Sequence, residues 1–442
     1  MKKKISILLT GLGLTMSAAN AADLLSVYRD AADYDAQFAS ARASLEAGRE
    51  KLPQGRSGLL PNVGVGANTT WNRFDNTLRS TPPLTQADHY NTNGWTATLT
   101  QPLFRWQNWA SYKQGEWAVA LAQAQFDAAR QDLMVRAAQG YFDVLLAQET
   151  LATTIAQKEA ITQQLESAKR NFEVGTATIT DTHEAQARYD LAVATEIAAR
   201  NDLTVKRQAL QMLIGKEPET LKRLKTGAQI GRPQPDDMLK WAEMAEASSL
   251  AVAQAQAAFE IADQEVSKQR GGHLPTVDLV ATYGRSSAGF NISAGGVGVD
   301  TRGSTVGVQL AVPIFAGGAL MSRDREAVAL RDKARSDLDN ARRQASLGAR
   351  QAYLGVTSGF SQVTAYQAAV ASSQSALDSN RVGYEVGVRI NIDVLNAQSQ
   401  LYDTQQKLAK ARFDTLVAQL RLKQAAGNLS EEDLSAVNAL LE

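Results

Sequence analysis

The sequence FEVG at residues 172–175 returns as YEVG at residues 384–387, and this pair of motifs decides how the chain is organised. The same spacing of 212 positions aligns further residues in the same order: Asp181 with Asp393, Gly215 with Gly427, and Gln139-Gly140-Tyr141 with Gln351-Ala352-Tyr353. Self-similarity at a fixed spacing is typical of chains that build one structural unit twice. The sequence therefore predicts two internal structural repeats.

The repeats set the expected division of the chain. The first repeat covers residues 22–215, with an N-terminal helix, two strands, a long helix and a second helix, and the second repeat covers 237–427. Between them, residues 216–236 contain three prolines and lose the helical pattern, which indicates a connector with room for a short helix near 218–225. Residues 428–442 then form a C-terminal segment.

The first 21 residues have the pattern of an export signal. A basic start of three lysines precedes an apolar stretch from Ile5 to Met16, and Ala19-Asn20-Ala21 supplies small residues at its end. The apolar stretch is shorter than the roughly 20 residues that a membrane-spanning helix needs. We therefore expect a Sec-type signal peptide that is cleaved near Ala21, rather than a membrane anchor.

Each repeat contains two segments in which apolar and polar residues alternate. These segments lie at 62–74 and 95–103 in the first repeat, and at 277–283 and 306–312 in the second. Alternation of this kind indicates strands with one buried face. Their polar face is small and uncharged apart from Asp278, which suits membrane strands with lipid on one side and water on the other.

The segments between these strands, 75–91 and 284–302, are rich in Asn, Thr, Gly and Ser. We expect them to be surface loops.

Long helices are expected after each pair of strands, because residues 107–172 and about 317–383 contain no proline. A second helix follows each of the two motifs. In the later one, apolar and small residues recur at alternating steps of four and three: Ala397, Leu401, Thr404, Leu408, Ala411, Thr415, Ala418 and Leu422. The earlier one repeats this seam, with Glu196 interrupting it, through Ala185, Tyr189, Ala192, Ala199, Leu203 and Leu210. Such a seam is typical of coiled coils, and taken alone it fits an ordinary structural coiled coil equally well.

Four membrane strands leave two open edges. In hydrocarbon every backbone N–H and C=O group needs a partner, so a membrane sheet must close on itself. About eight strands form the smallest barrel that closes. A chain with four strands must therefore share its barrel with other copies, and closure alone allows two, three or four of them.

The sequences FEVGTATITD at 172–181 and GYEVGVRINIDVLNAQSQLYD at 383–403 are the most specific parts of a resemblance that spans the mature chain. They resemble the TolC family of outer-membrane efflux and secretion proteins. The resemblance implies a homotrimer in the outer membrane, with a shared transmembrane β-barrel of twelve strands, a periplasmic α-barrel of coiled-coil helices, and an equatorial belt that includes the connector and the C-terminal segment. It also implies an exit duct for multidrug efflux or type I secretion, opened at its periplasmic tip by an adaptor protein and an inner-membrane transporter.

The same resemblance assigns roles at the tip. Asp393 would project into the lumen as a ring of three carboxylates, while Tyr384 and Arg389 would link to Thr180 and Asp181 and hold the tip closed. A second aspartate that a member of the family carries one helical turn later is Asn396 here, which implies weaker selection of cations. The family's adaptors dock at the turns, which are Val174-Gly175 and Val386-Gly387 in this chain.

The chemistry of these side chains is compatible with a gate, meaning a tip that they hold closed, but does not require one. Three like charges at a constriction repel one another, and a guanidinium and a phenol can offset that repulsion. Without the resemblance, the sequence indicates only that Arg389 is a solvated residue at a helix start. Asp393 would then be an acid in the first helical turn, favoured there by the helix dipole or by its ability to cap the helix.

Other kinds of site are not supported. The chain has no cysteine, which excludes disulfides, thiolate metal sites and a lipidated N-terminal cysteine, and its 46 basic and 46 acidic residues cancel, which gives no sign of a nucleic-acid partner. His183-Glu184 lacks a second metal ligand at Ala187, and Gly295-Gly296-Val297-Gly298 lacks the lysine of a phosphate loop. We therefore expect no metal, no cofactor and no enzymatic activity. The alternative that remains is a soluble periplasmic coiled-coil adaptor or scaffold protein.

Overall fold

The backbone presents the same order of elements twice, as the sequence predicts: short helices, two strands, a long helix and a second helix. The first series is α1 (Leu24–Tyr34), α2 (Ala36–Arg49), α3 (Lys51–Ser57), β1 (Asn62–Leu78), β2 (Leu84–Phe104), α4 (Trp106–Glu173) and α5 (Ile179–Ile214). The second is α6 (Met238–Ser248), α7 (Leu250–Gly271), β3 (Thr276–Asn291), β4 (Val297–Ala311), α8 (Ala319–Glu385) and α9 (Asn391–Ala425), and α10 (Glu431–Asn438) follows it. The N-terminal helix that the sequence predicts is thus three shorter helices.

This computed structural model describes residues 21–79, 84–225, 227–228, 230–291 and 297–442. The predicted signal peptide lies outside the described residues, except for Ala21. In the part of the chain that is described, no helix is both long and apolar enough to cross a membrane.

The four strands form one antiparallel sheet in the order β1-β2-β3-β4. The register pairs Val65 with Ala97, Ala97 with Tyr283, and Tyr283 with Ser304. Because directly paired residues share a face, the predicted alternation lines up across the strands. One face of the sheet carries the apolar side chains of Val63, Val65, Ala97, Leu99, Leu279, Ala281, Val306 and Val308.

The prediction of long surface loops was wrong. β1 continues to Leu78 and β2 begins at Leu84, so most of 75–91 is strand, and β3 and β4 likewise take up most of 284–302. Polar composition suggested loops, but an antiparallel hairpin is held by backbone hydrogen bonds that do not depend on apolar side chains. Side chains add to the pairing, since Asn91 donates to Thr69 Oγ1 at 2.8 Å.

The chain forms two compact units. One comprises Met1–Ala39, Ala129–Ala245 and Leu347–Glu442, and the other Ser40–Ala128 and Glu246–Ser346. In the first unit, the junction of α1 and α2 is held by Arg136, which binds both carboxylate oxygens of Asp35 at 2.8 and 3.2 Å. The Arg136 guanidinium holds the pKa of the Asp35 carboxyl below its usual value.

The connector is not helical at 218–225. Leu221 instead forms an isolated parallel bridge with Ala22, and Leu224 forms an antiparallel bridge with Leu441. The hydroxyl of Tyr141 lies 2.8 Å from the carbonyl oxygen of Lys222, and burial raises the pKa of this phenol, so it stays protonated and can donate. Pro218 and these long-range contacts take the place of the short helix that the sequence allowed.

The heptad seams are confirmed. Of the seam in α9, Leu401, Thr404, Ala411, Thr415 and Leu422 are buried. In the seam of α5, the interrupting Glu196 is also buried, and it pairs with Lys158 of α4 and with Arg200, at 2.5 Å each. Two cations thus compensate the charge that breaks the apolar pattern.

Candidate functional site

Two tight turns join the long helices to the second helices, and their backbones match. In the first turn, the amides of Thr176 and Ala177 donate to the carbonyl oxygen of Asn171 at 2.8 and 3.2 Å. The second turn repeats this arrangement around the carbonyl of Gly383. Each turn passes through a glycine with positive φ, 76° at Gly175 and 77° at Gly387, where a side chain would be strained.

The helices that leave the two turns begin differently. α5 starts with a capping box, in which Thr178 Oγ1 accepts from the amide of Asp181 at 3.2 Å and the Asp181 carboxylate accepts from the amide of Thr178 at 2.9 Å. α9 begins at Asn391, and the N-cap residue before it, Ile390, offers no side-chain cap; the amide of Asp393 donates to the Ile390 carbonyl oxygen. Asp393 is therefore not a helix cap, unlike its counterpart Asp181.

The carboxylate of Asp393 instead faces Arg389. Their closest nitrogen and oxygen atoms are 3.6 Å apart, and about a third of the Asp393 side chain is exposed. Asn396, three residues further along the same face of α9, accepts a hydrogen bond from Arg188 Nη2 of α5 at 2.9 Å.

Tyr384 lies at the C-terminal end of α8 and contacts both polar and apolar neighbours. Its hydroxyl accepts from Asn171 Nδ2 at 3.2 Å, and its ring packs against the buried cluster of Leu377, Val394 and Leu401. Tyr384 and Asn171 thereby connect the ends of the two long helices, α8 and α4.

Three of the six predicted gate residues line one cleft. Asp181, Tyr384 and Arg389 line a cleft of about 940 Å³ between the turns, while Thr180 lies exposed outside it. Among the described residues, no hydrogen bond within the chain joins Tyr384 or Arg389 to Thr180 or Asp181. The links that the resemblance implied stay a prediction.

The turns also present apolar side chains to solvent. Val174 is 72 % exposed and Val386 68 % exposed, and Val388 and Ile390 are exposed beside them. A methyl group added to Gly175 or Gly387 would meet no other atom within 4 Å. The residues predicted to contact an adaptor therefore lie on an open surface.

Sequence reasoning missed the buried residue Asn391 and its partner Gln164. Asn391, the first residue of α9, is 1 % exposed, and its side chain is bonded to Gln164 of α4 and to the backbone of α5. The sequence did contain one sign that Asn391 is unusual. The spacing of 212 sets it opposite the apolar Ile179, so the two repeats differ at this position.

The described residues contain no group of three or more His, Asp or Glu side chains that could hold a metal ion. The turns present the carboxylate of Asp393, the guanidinium of Arg389 that faces it, and exposed apolar side chains beside them. Such a set can form contacts between chains, and it contains no arrangement of nucleophile and base.

Comparison with known proteins decides the family. The model of the outer membrane efflux protein family matches residues 27–216 and again 241–428. The chain belongs to the outer membrane efflux protein family. The double match also coincides with the two repeats of the backbone.

Named bacterial proteins are similar to this chain over nearly its whole length. Outer membrane protein TolC of Vibrio cholerae is 32 % identical over 443 residues, which cover 100 % of this chain and 99 % of that protein. Alkaline protease secretion protein AprF of Pseudomonas aeruginosa is 33 % identical, with 94 % of this chain and 86 % of that protein covered.

Solved structures of outer-membrane channels share the fold. The outer membrane protein VceC of Vibrio cholerae has a TM-score of 0.76 at 19 % identity, and the match covers 91 % of this chain and 96 % of that one. The open state of the MtrE outer membrane channel of Neisseria gonorrhoeae has a TM-score of 0.71 at 17 % identity, covering 92 % and 90 %. At these identities the likeness concerns the fold alone.

Proposed function

We propose that three copies of this chain form one outer-membrane exit channel, which serves efflux or type I secretion and is opened at the paired turns by a periplasmic adaptor and an inner-membrane transporter. The family membership and the relatives TolC and AprF support the export role. The observation that carries the proposal is the four-stranded sheet of the described residues, in which β1 and β4 each pair with a neighbouring strand on one side only.

The sheet supports a barrel shared between copies. β1 and β4 are its edges, and unpaired edge groups are costly in a membrane. The apolar face is open, with Val306, Val308 and Leu310 at 75, 65 and 64 % exposure. If β4 of one copy pairs with β1 of the next, three copies complete a ring of twelve strands with this apolar face toward lipid.

The open apolar face also argues against the soluble adaptor or scaffold. A soluble protein would pack these side chains inside itself, because a contiguous exposed apolar surface marks an interaction site or favours aggregation.

At the turns, three Asp393 carboxylates would form a ring in the lumen. Asp393 is not used as a helix cap, and Arg389 is the cation that faces it within the chain. In the trimer, Arg389 and Tyr384 would also reach Thr180 and Asp181 of the first turn, in the same chain or in a neighbouring one. These hydrogen bonds would offset the repulsion of the acidic ring and keep the channel closed.

The adaptor is expected to bind at Val174-Gly175 and Val386-Gly387. Exposed valines next to glycines without side chains allow a partner helix to approach the backbone closely. The same arrangement in both repeats offers two related binding surfaces in each chain. The proposal includes no catalytic step.

Planar lipid bilayers provide the test. Purified protein is expected to give discrete channels of low conductance, and the double variant Tyr384→Phe with Arg389→Ser is expected to raise that conductance. The matched control is Tyr366→Phe with Arg350→Ser, which changes the same residue types on α8 away from the turn and should leave the conductance unchanged.

Two results would contradict the proposal. A wild-type protein that forms no channels would reject the export pore. Intact trimers of the Tyr384 and Arg389 variant with the conductance of wild type would reject the gating roles.

A further inference from the structure

On its hairpin side, the apolar face of the sheet ends in arginines. Every second residue of a strand points to the same face, so Arg285 follows Tyr283 on this face of β3. On β1, Arg73 likewise follows Trp71, which is 84 % exposed, and Asp75 comes next on the same face. Both strands therefore change from apolar to aromatic to charged residues as they run from the helices toward the hairpins.

Two of the arginines lie directly opposite each other. The register pairs Arg285 of β3 with Arg302 of β4, and on its other side with Trp95 of β2. Like charges that face each other across an antiparallel pair of strands destabilise it. Asp300 lies beside them, with its carboxylate 2.9 Å from the Arg285 guanidinium and 59 % of its side chain exposed. One carboxylate cannot neutralise two guanidinium groups, so these three residues carry a net positive charge.

The position of this pair along the strands matches the edge of a membrane. Arg285 lies nine residues beyond Thr276, where β3 begins, and Arg302 lies nine residues before Ala311, where β4 ends. At a rise of about 3.3 Å per residue and a strand tilt of about 40°, this distance spans roughly 23 Å across the membrane. The apolar band of an outer-membrane barrel is about 25 Å tall, so both arginines would lie at the level of the lipid headgroups. The long helices are attached at the other ends of the strands, so the proposed channel places the pair in the outward leaflet.

We propose that Arg285 and Arg302 bind the phosphate group of a lipid in the outward leaflet, whose acyl chains lie along the apolar face of the sheet. The inference rests on the proposed function, in which this face contacts lipid. A guanidinium group can bind phosphate through two parallel hydrogen bonds, and a phosphate between the two arginines would relieve their repulsion. A lipid suits the site better than a free anion, because the arginines continue directly into exposed apolar side chains such as Val306.

Native mass spectrometry of the detergent-solubilised trimer provides the test, with diphosphoryl lipid A as the probe and the same lipid without its phosphates as the reference. Wild type is expected to bind the phosphorylated form more tightly. The double variant Arg285→Gln with Arg302→Gln should weaken that binding roughly thirtyfold, since one arginine near a charged lipid headgroup contributes about fivefold. Arg342→Gln with Arg343→Gln is the matched control, because these exposed arginines lie far along α8 from the sheet and should leave binding unchanged.

Asp300→Asn separates lipid binding from a structural role of the ion pair. Without this carboxylate, Arg285 is available to the phosphate, so lipid binding should become about fivefold tighter. An ion pair that only stabilises the hairpin predicts no tighter binding. Asp300→Asn and the single variant Arg302→Gln also keep the test decisive if the double arginine variant fails to assemble.

Each remaining result has a definite meaning. A trimeric wild type that binds both forms of the lipid equally well would overturn the inference, and so would arginine variants that bind like wild type. Inorganic phosphate that binds as tightly as the phosphorylated lipid would assign the arginines to a free ion and would also overturn it. A wild-type protein that forms neither trimers nor channels would instead reject the proposed function.

Discussion

In the proposed channel, Asn396 would occupy the position where a second acid would strengthen the ring of Asp393 carboxylates. Its amide oxygen accepts from Arg188 at 2.9 Å, so the group beside the ring is an amide held by a cation. Coulomb interactions at a narrow aperture extend over several ångströms, and Arg188 should reduce the attraction of cations that Asp393 provides. At the residue scale, the charge balance of the proposed aperture would therefore depend on residues of both repeats.

The selectivity prediction follows from this pair. Asn396→Asp should raise the permeability ratio of K⁺ to Cl⁻, and Asn396→Asp combined with Arg188→Gln should raise it further, because the new carboxylate then has no cation beside it. Reversal potentials in a KCl gradient measure both effects. Arg207→Gln, an exposed arginine on the same helix α5, should leave the ratio unchanged. Equal ratios in wild type and in both Asn396 variants would contradict the placement of Asn396 at the aperture.

The tip shows how far residues can be assigned from a sequence. Glycines at the turns and the acid at 393 follow a repeated motif, so their positions were predictable. Asn391 and Gln164 were not, because a polar residue at a helix start is usually a cap and its burial depends on a helix more than 200 positions away in the sequence. The hydrogen bond from Asn171 to Tyr384 was missed for the same reason.

At the scale of elements, the joint between strand and helix contains Asp278, the charged residue that interrupts the polar face of the predicted strand segments. Arg105, between β2 and α4, binds both oxygens of Asp278 in β3 at 2.8 and 2.6 Å, and 9 % of the Asp278 side chain is exposed. This bidentate pair fixes where the sheet ends and the long helix begins.

Asp278→Asn should therefore destabilise this joint. Losing a charge-assisted pair whose acid is buried is expected to cost about 1–3 kcal/mol of unfolding free energy. Urea unfolding of the detergent-solubilised protein, followed by tryptophan fluorescence, measures it. Asp300→Asn is the matched control, because Asp300 of β4 pairs with Arg285 of β3 with both side chains exposed, and such pairs contribute about 0–1 kcal/mol. Equal losses in the two variants would contradict a special role of the joint.

Helices and strands differ in how well the sequence predicts them. α4 and α8 agree with the tracts without proline to within a few residues, since a long helix depends on local pattern. The outer parts of the strands were assigned as loops, because their Asn and Thr side chains resemble turn composition while their stability comes from pairing with a neighbouring strand. Glu196 interrupts a seam in the sequence, yet Lys158 and Arg200 make it compatible with burial.

At the scale of the whole molecule, the account depends on the two edges of the sheet. The pairing of β1 with β2, β2 with β3 and β3 with β4 leaves one edge of β1 and one of β4 for other chains. Backbone geometry alone does not fix the number of copies, since any closed ring satisfies the edges. The number three comes from the family resemblance and needs its own measurement.

Crosslinking between the edge strands measures the number of chains in the ring. Because the chain contains no cysteine, only the thiols introduced into it can be crosslinked. The variant Val65→Cys with Val308→Cys carries one thiol on each edge strand, both on the apolar face. Leu99→Cys with Ala281→Cys is the control, because these two residues are direct partners within one chain and should give only internal crosslinks.

Treating outer membranes that contain the edge variant with a short bifunctional maleimide, followed by denaturing electrophoresis, tests the central claim most directly. The shared barrel predicts crosslinked dimers and trimers, with a ladder that ends at three chains because the ring is closed. A product that remains monomeric, or a ladder that continues past three, would contradict it.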